Sequence, residues 1–105
     1  IVSCELKKAQ EAYDNKEYIR SIYLTLSYFE KHPNKVEKIK PDIKNEIMEK
    51  FSNIVNYYKT ETGSSNLKER QDGYEGLYKF MHYLMFTLNL QILLIFCQNM
   101  MTMNF

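Results

Sequence analysis

Ile43, Ile47, Phe51, Ile54 and Tyr58 recur at intervals of four, four, three and four residues, and an α-helix is the backbone that gathers such a set on one face. This is the clearest pattern in the chain. It limits the fold more than any other feature, because an amphipathic helix must bury its stripe against other elements. Pro41 stands where a first-turn proline costs no hydrogen bond, and Asp42 puts negative charge at the positive end of the helix dipole. Gly63 is the expected stop. With three glycines and two prolines in 105 residues, the chain has little turn chemistry for a sheet-rich fold.

Upstream, Leu6, Ala9 and Tyr13 share one helical face while Lys7, Lys8 and Glu11 point elsewhere. Asp14 followed three residues later by Glu17 has the form of a capping box, so a second helix is expected from about Asn15. Its apolar set is Tyr18, Ile19, Ile22, Leu26 and Phe29, and His32-Pro33-Asn34 ends it, since proline disfavours a helical conformation in the residue before it. A lysine-rich connector then leads to Pro41.

The stretch from Gly63 to Gly76 holds all three glycines together with Ser64, Ser65, Asn66 and Asp72. It reads as a loop, flexible over 63–73, with at most a single turn at Leu67 to Gln71 begun by Asn66 and Glu69. A fourth helix is expected from about Tyr74, with Leu77, Phe80, Met81, Leu84 and Leu88 in register. The expected fold is all-α, with about four helices in two helical hairpins, forming a single domain over 1–105.

Charge and motifs narrow the function. The net charge is +1, and lysines and carboxylates are interspersed, so no basic face of the kind that neutralises a phosphate backbone is expected and nucleic acid is not a partner. No zinc-binding, phosphate-loop or dinucleotide motif occurs. No catalytic residue, cofactor or metal ligand is therefore assigned, and the chain is not expected to be an enzyme. His32, beside the helix-ending proline, reads as solvated or capping, and His82, in an apolar run, as a core histidine. Glu46 and Glu49 lie one turn apart on a face that is charged all along. Tyr57, Tyr58, Tyr74, Tyr78 and Tyr83 read as edges of the core or as interface residues.

Residues 5–33 resemble one tetratricopeptide repeat. Ala9, Tyr18, Ser21 and Pro33 stand at that family's spacing, a small residue, an aromatic nine later, a small residue three later and a closing proline after twelve more. Lys16 departs from it where a glycine or similar turn residue is usual, Thr25 where an aromatic is, and Tyr28 where a small residue lets helices approach. One repeat further on, Ile43, Ser52, Val55 and Leu67 lack the aromatic, small and proline signals. A regular array is not expected. The resemblance implies a protein-binding role, with a peptide or partner helix against the first helix of the hairpin. That face would carry Leu6, Gln10 and Tyr13. Leu6 is assigned to the core, Gln10 to partner binding, and Tyr13 either to partner binding or to packing.

The opening Ile1-Val2-Ser3-Cys4 resembles the lipobox of bacterial lipoproteins, which has an aliphatic residue three before the cysteine and a small residue directly before it. The resemblance implies an upstream leader that is cut away, a lipid on the Cys4 thiol and anchoring at a bacterial cell envelope. Otherwise a cytoplasmic protein is expected. A disulfide between Cys4 and Cys97, or two reduced thiols, are equally open.

From Phe80 to Phe105 there is no Asp, Glu, Lys or Arg. Three readings of this apolar tail stand. It is a final core helix, a membrane or partner-inserting segment, or a terminus that is not the natural one. Its length suits a bilayer, which takes about 20 residues, but His82, Thr87, Asn89 and Gln91 would need shelter there. The function expected is a non-catalytic protein-interaction module displayed by a lipid on Cys4. The alternative is a small membrane protein inserted through its C-terminal apolar helix, and the third is a cytoplasmic regulator or enzyme without a recognisable motif. Apolar surface also leaves room for oligomerisation.

Overall fold

In the computed structural model, residues 4–85 are described, and they are all-α. The helices are α1 (Cys4–Asp14), α2 (Tyr18–Lys31), the short α3 (Pro33–Glu37), α4 (Pro41–Thr62) and α5 (Leu67–Met85). α1 packs on α2 and α4 on α5, so the four longer helices form two hairpins, and α2 also meets α5. The core lies between the hairpins, built from Ile22, Leu26 and Phe29 of α2, Ile47, Met48, Phe51, Ile54 and Val55 of α4, and Phe80 and Leu84 of α5. Leu6, Tyr13, Tyr18, Ile19, Ile43, Tyr58 and Leu77 pack against it as partly buried residues.

The α1–α2 turn is not the expected capping box. Glu17 N donates to Ala12 O at 2.8 Å and Lys16 N to Tyr13 O at 3.0 Å, the paired bonds of a Schellman ending. Lys16 is accordingly in the left-handed region, at φ 64, a conformation that costs a side-chain-bearing residue about 1 kcal/mol or more and glycine nothing. The turn consumes residues 15–17, so α2 starts at Tyr18 rather than near Asn15, and its N-cap Glu17 makes no side-chain capping bond. The Asp14 carboxylate instead accepts from Gln10 Nε2 at 2.8 Å. Where α1 and α2 cross, Ala9, Ala12 and Ser21 are buried, and Ser21 Oγ donates to Ala9 O at 2.8 Å. Small side chains allow that approach.

α2 ends at Lys31, where His32 N donates to Tyr28 O at 3.0 Å. Part of the expected connector is helical, because Pro33 not only stops α2 but occupies the first position of α3, where its fixed φ suits a new helix. α4 starts at Pro41 and is capped at Gly63, as its pattern foretells. Gly63 has φ −91, so it closes the helix through bonds from Gly63 N to Thr60 O and Ser64 N to Glu61 O, without left-handed backbone.

The expected loop at 63–73 shrinks to residues 63–66. Asn66 Oδ1 accepts from Lys68 N at 2.9 Å and Glu69 N at 3.2 Å, while Ser64 Oγ donates to Glu69 Oε2 at 2.7 Å. That cap starts a helix which continues through Gly73 and Gly76. Both glycines are buried. They mark a close approach to α4, since a Cβ at Gly73 would lie 2.7 Å from both Thr62 N and Tyr58 O, and one at Gly76 would overlap the Tyr58 ring. In the rest of α5, Phe80 and Leu84 are buried as expected, but Met81 is 45% exposed. Leu88, Cys97 and the tail from residue 86 onward lie outside the described residues, and with them the membrane, terminus and disulfide readings. Among the described residues, no helix is long and apolar enough to cross a membrane.

Candidate functional site

The two hairpins do not close completely at the end where α4 begins. There a cleft of about 580 Å³ opens between α1, the face of α2 from Ser21 to Phe29, the segment 35–40 and the first half of α4. The volume is within the range of ligand-binding pockets. Leu6, Ala9, Phe29, Ile39, Ile43, Ile47 and Phe51 give it an apolar lining. Two hydroxyls, of Ser21 and Thr25, also line it, but each donates to a backbone carbonyl at 2.8 Å, Ser21 to Ala9 and Thr25 to Ser21. Hydroxyls held this way serve the helix packing and present no activated nucleophile to the cleft.

Around this lining stand Lys7, Lys35, Lys38, Lys40 and Lys50, against one carboxylate among the described residues, that of Glu46. Lys50 is engaged within the fold: its Nζ is 3.2 Å from Glu46 Oε1, donates to Gln10 Oε1 and lies 5.9 Å from the centre of the Tyr13 ring. These contacts hold α1 to α4. Lys7, Lys35, Lys38 and Lys40 are exposed, and none pairs with a carboxylate among the described residues.

The two sequence-assigned binding residues part company here. Gln10 lines the cleft, with both ends of its amide bonded, to Asp14 and Lys50. Tyr13 does not line it. The Tyr13 hydroxyl accepts from Asn53 Nδ2 at 3.1 Å and its ring lies 5.7 Å from that of Tyr18, which places it in the contact between α1, α2 and α4. Leu6 is partly buried and also faces the cleft.

Cys4 is exposed at the first residue of α1. His32 is exposed and its ring is 4.8 Å from that of Tyr28. His82 is exposed rather than in the core, stacked 6.1 Å from Tyr78 and edge-on to Tyr83 at 5.9 Å. Among the tyrosines, Tyr58 and Tyr83 are edges of the core, whereas Tyr74 and Tyr78 are 62% and 70% exposed.

A second titratable group lies at the opposite end of α4. Burial pushes the Tyr58 hydroxyl up to about 12, with Tyr57 and Glu61 adding to the shift. Burial, then Asp72 and Glu69, raise the Glu61 carboxyl, and a hydrogen bond with Tyr57 opposes them. No group of His, Cys, Asp and Glu suited to a metal ion occurs among the described residues.

Phe51, Phe29 and Ile47 belong at once to the core and to the cleft wall, so the cleft is an extension of the core rather than a separate surface. Its lining comes from residues 6–10, 21–29 and 35–51, segments so far apart that no single stretch of the sequence signals it. Compared with protein-family models, curated proteins and solved structures, the chain matches none.

Proposed function

We propose that this chain is a non-catalytic protein-interaction module whose binding face is the cleft between the hairpins. One observation carries the reading: an open, apolar-lined cleft of about 580 Å³ continues the hydrophobic core to the surface. Apolar side chains entering it leave water at about 25 cal/mol per Å² of buried area. The Ser21 and Thr25 hydroxyls and the Gln10 amide are held in structural bonds, which suits a surface that binds rather than reacts. Gln10 and Leu6 form part of its wall, and Tyr13 supports α1 from behind.

The reading is tested by selecting peptides from a display library on the full chain and measuring their affinity by fluorescence anisotropy. Ile43→Glu sets a carboxylate into the apolar lining and is expected to weaken the selected peptides by tenfold or more, about 1.4 kcal/mol or above, with the helical circular dichroism spectrum unchanged. Equal affinity for both proteins would place binding elsewhere and sink the proposal.

Display at a bacterial envelope through a lipid on Cys4 belongs to the same reading. It is supported by the lipobox-like residues 1–4 and by the exposure of Cys4 at the start of α1. Protein made in bacteria with its natural upstream sequence should partition into a detergent phase, and Cys4→Ala should return it to the aqueous phase. Partition unaffected by Cys4→Ala would remove the anchor and point to the apolar tail.

A further inference from the structure

The lysines around the cleft are a local concentration of charge, not a property of the chain. Fourteen basic and thirteen acidic residues nearly cancel overall, yet among the described residues five lysines and one carboxylate line this cleft. Glu46 is already paired with Lys50 at 3.2 Å. Lys7, Lys35, Lys38 and Lys40 therefore stand around an apolar lining without an ion partner among the described residues.

We infer that the cleft takes an acidic amphipathic segment of a partner protein, with apolar side chains against Ile43, Ile47 and Phe51 and flanking carboxylates against Lys35, Lys38 and Lys40. The inference rests on the proposed function and specifies the partner's chemistry. Charge complementarity names the sign. A basic partner would leave like charges facing each other at short range, which costs affinity. The apolar depth favours a peptide over a phosphate backbone or a lipid headgroup, since neither of these supplies side chains to fill it.

The test uses the full chain and a library of amphipathic peptides with fixed apolar anchors, in which the flanking positions are drawn from Asp, Glu, Lys, Gln and Ser. Selection should enrich Asp and Glu at the flanks, and the resulting affinities should fall as salt rises. The variant Lys35→Glu/Lys38→Glu/Lys40→Glu changes only exposed side chains, so its circular dichroism and melting temperature serve as the folding control. It should bind the acidic peptides about tenfold more weakly and select lysine-flanked ones instead. Binders without charge preference would overturn the inference and leave the cleft as a binding face. No binders at all would overturn both. Vesicles of phosphatidylglycerol form a further arm: binding to them that the triple variant abolishes, with no acidic preference among peptides, would assign the lysines to a membrane surface and also overturn the inference.

Discussion

Phe80→Ala is expected to destabilise the fold by about 3–5 kcal/mol, the range for truncating a buried phenylalanine. Phe80 is fully buried, and its ring meets that of Phe51 edge-on, with centroids 5.7 Å apart at 81°. Removing it leaves a cavity between α4 and α5 and takes away the partner of a second core ring. Domains of this size are stable by about 5–15 kcal/mol, so a large share of the total is at stake. Urea denaturation followed by circular dichroism at 222 nm reads the change, and Phe80→Leu should lose less, about 1.5 kcal/mol or under. A loss below about 1 kcal/mol for the alanine variant would mean that α5 does not close the core. The effect should also reach the cleft, because Phe51 is both the partner of Phe80 and part of the cleft lining.

What the sequence revealed, and what it hid, follows from how local each signal is. The stripe from Ile43 to Tyr58, the proline at 41 and the stop at Gly63 are local, and α4 runs over Pro41–Thr62. Gly73 and Gly76 also look local, but their reason is tertiary. A glycine that lets two helices touch carries the same letter as one that makes a loop, and only the presence of α4 distinguishes the two. Asp14 and Glu17 misled for a different cause. Spacing alone cannot tell a capping box from the last turn of the preceding helix, and here Ala12 O and Tyr13 O claim the amides of Glu17 and Lys16.

The cleft lay further from view. In the sequence Lys35, Lys38 and Lys40 are only part of a lysine-rich connector, and the placement of α1 and α4 turns them into one side of an apolar opening. Gln10, on the helix face that the hairpin resemblance assigns to a partner, lines the cleft. Tyr13 shares its face but lies one turn further along, where Asn53 and Tyr18 reach it. Its aromatic ring could not by itself separate packing from recognition.

Gly73→Ala is the second large effect, and its sign is opposite to helix propensity. Alanine in a helix interior gains about 1 kcal/mol over glycine. Here the added methyl would lie 2.7 Å from Thr62 N and 2.7 Å from Tyr58 O, both main-chain atoms of α4 that cannot rotate away. Overpacking of this kind costs about 1–3 kcal/mol and sometimes more, and a rigid obstacle favours the upper end. The expected net loss is about 2 kcal/mol, or a fall in melting temperature of roughly 10 °C. Gly76→Ala differs, because its obstacle is the Tyr58 ring, a side chain packed among Tyr18 and Tyr57. Tyr58→Ala should therefore recover stability when combined with Gly76→Ala but not with Gly73→Ala, a coupling that a double-mutant cycle measures. Equal rescue of both variants would show that the close contact between α4 and α5 is made by side chains alone, and a rise in melting temperature for Gly73→Ala would mean that the helices do not approach as closely as these glycines allow.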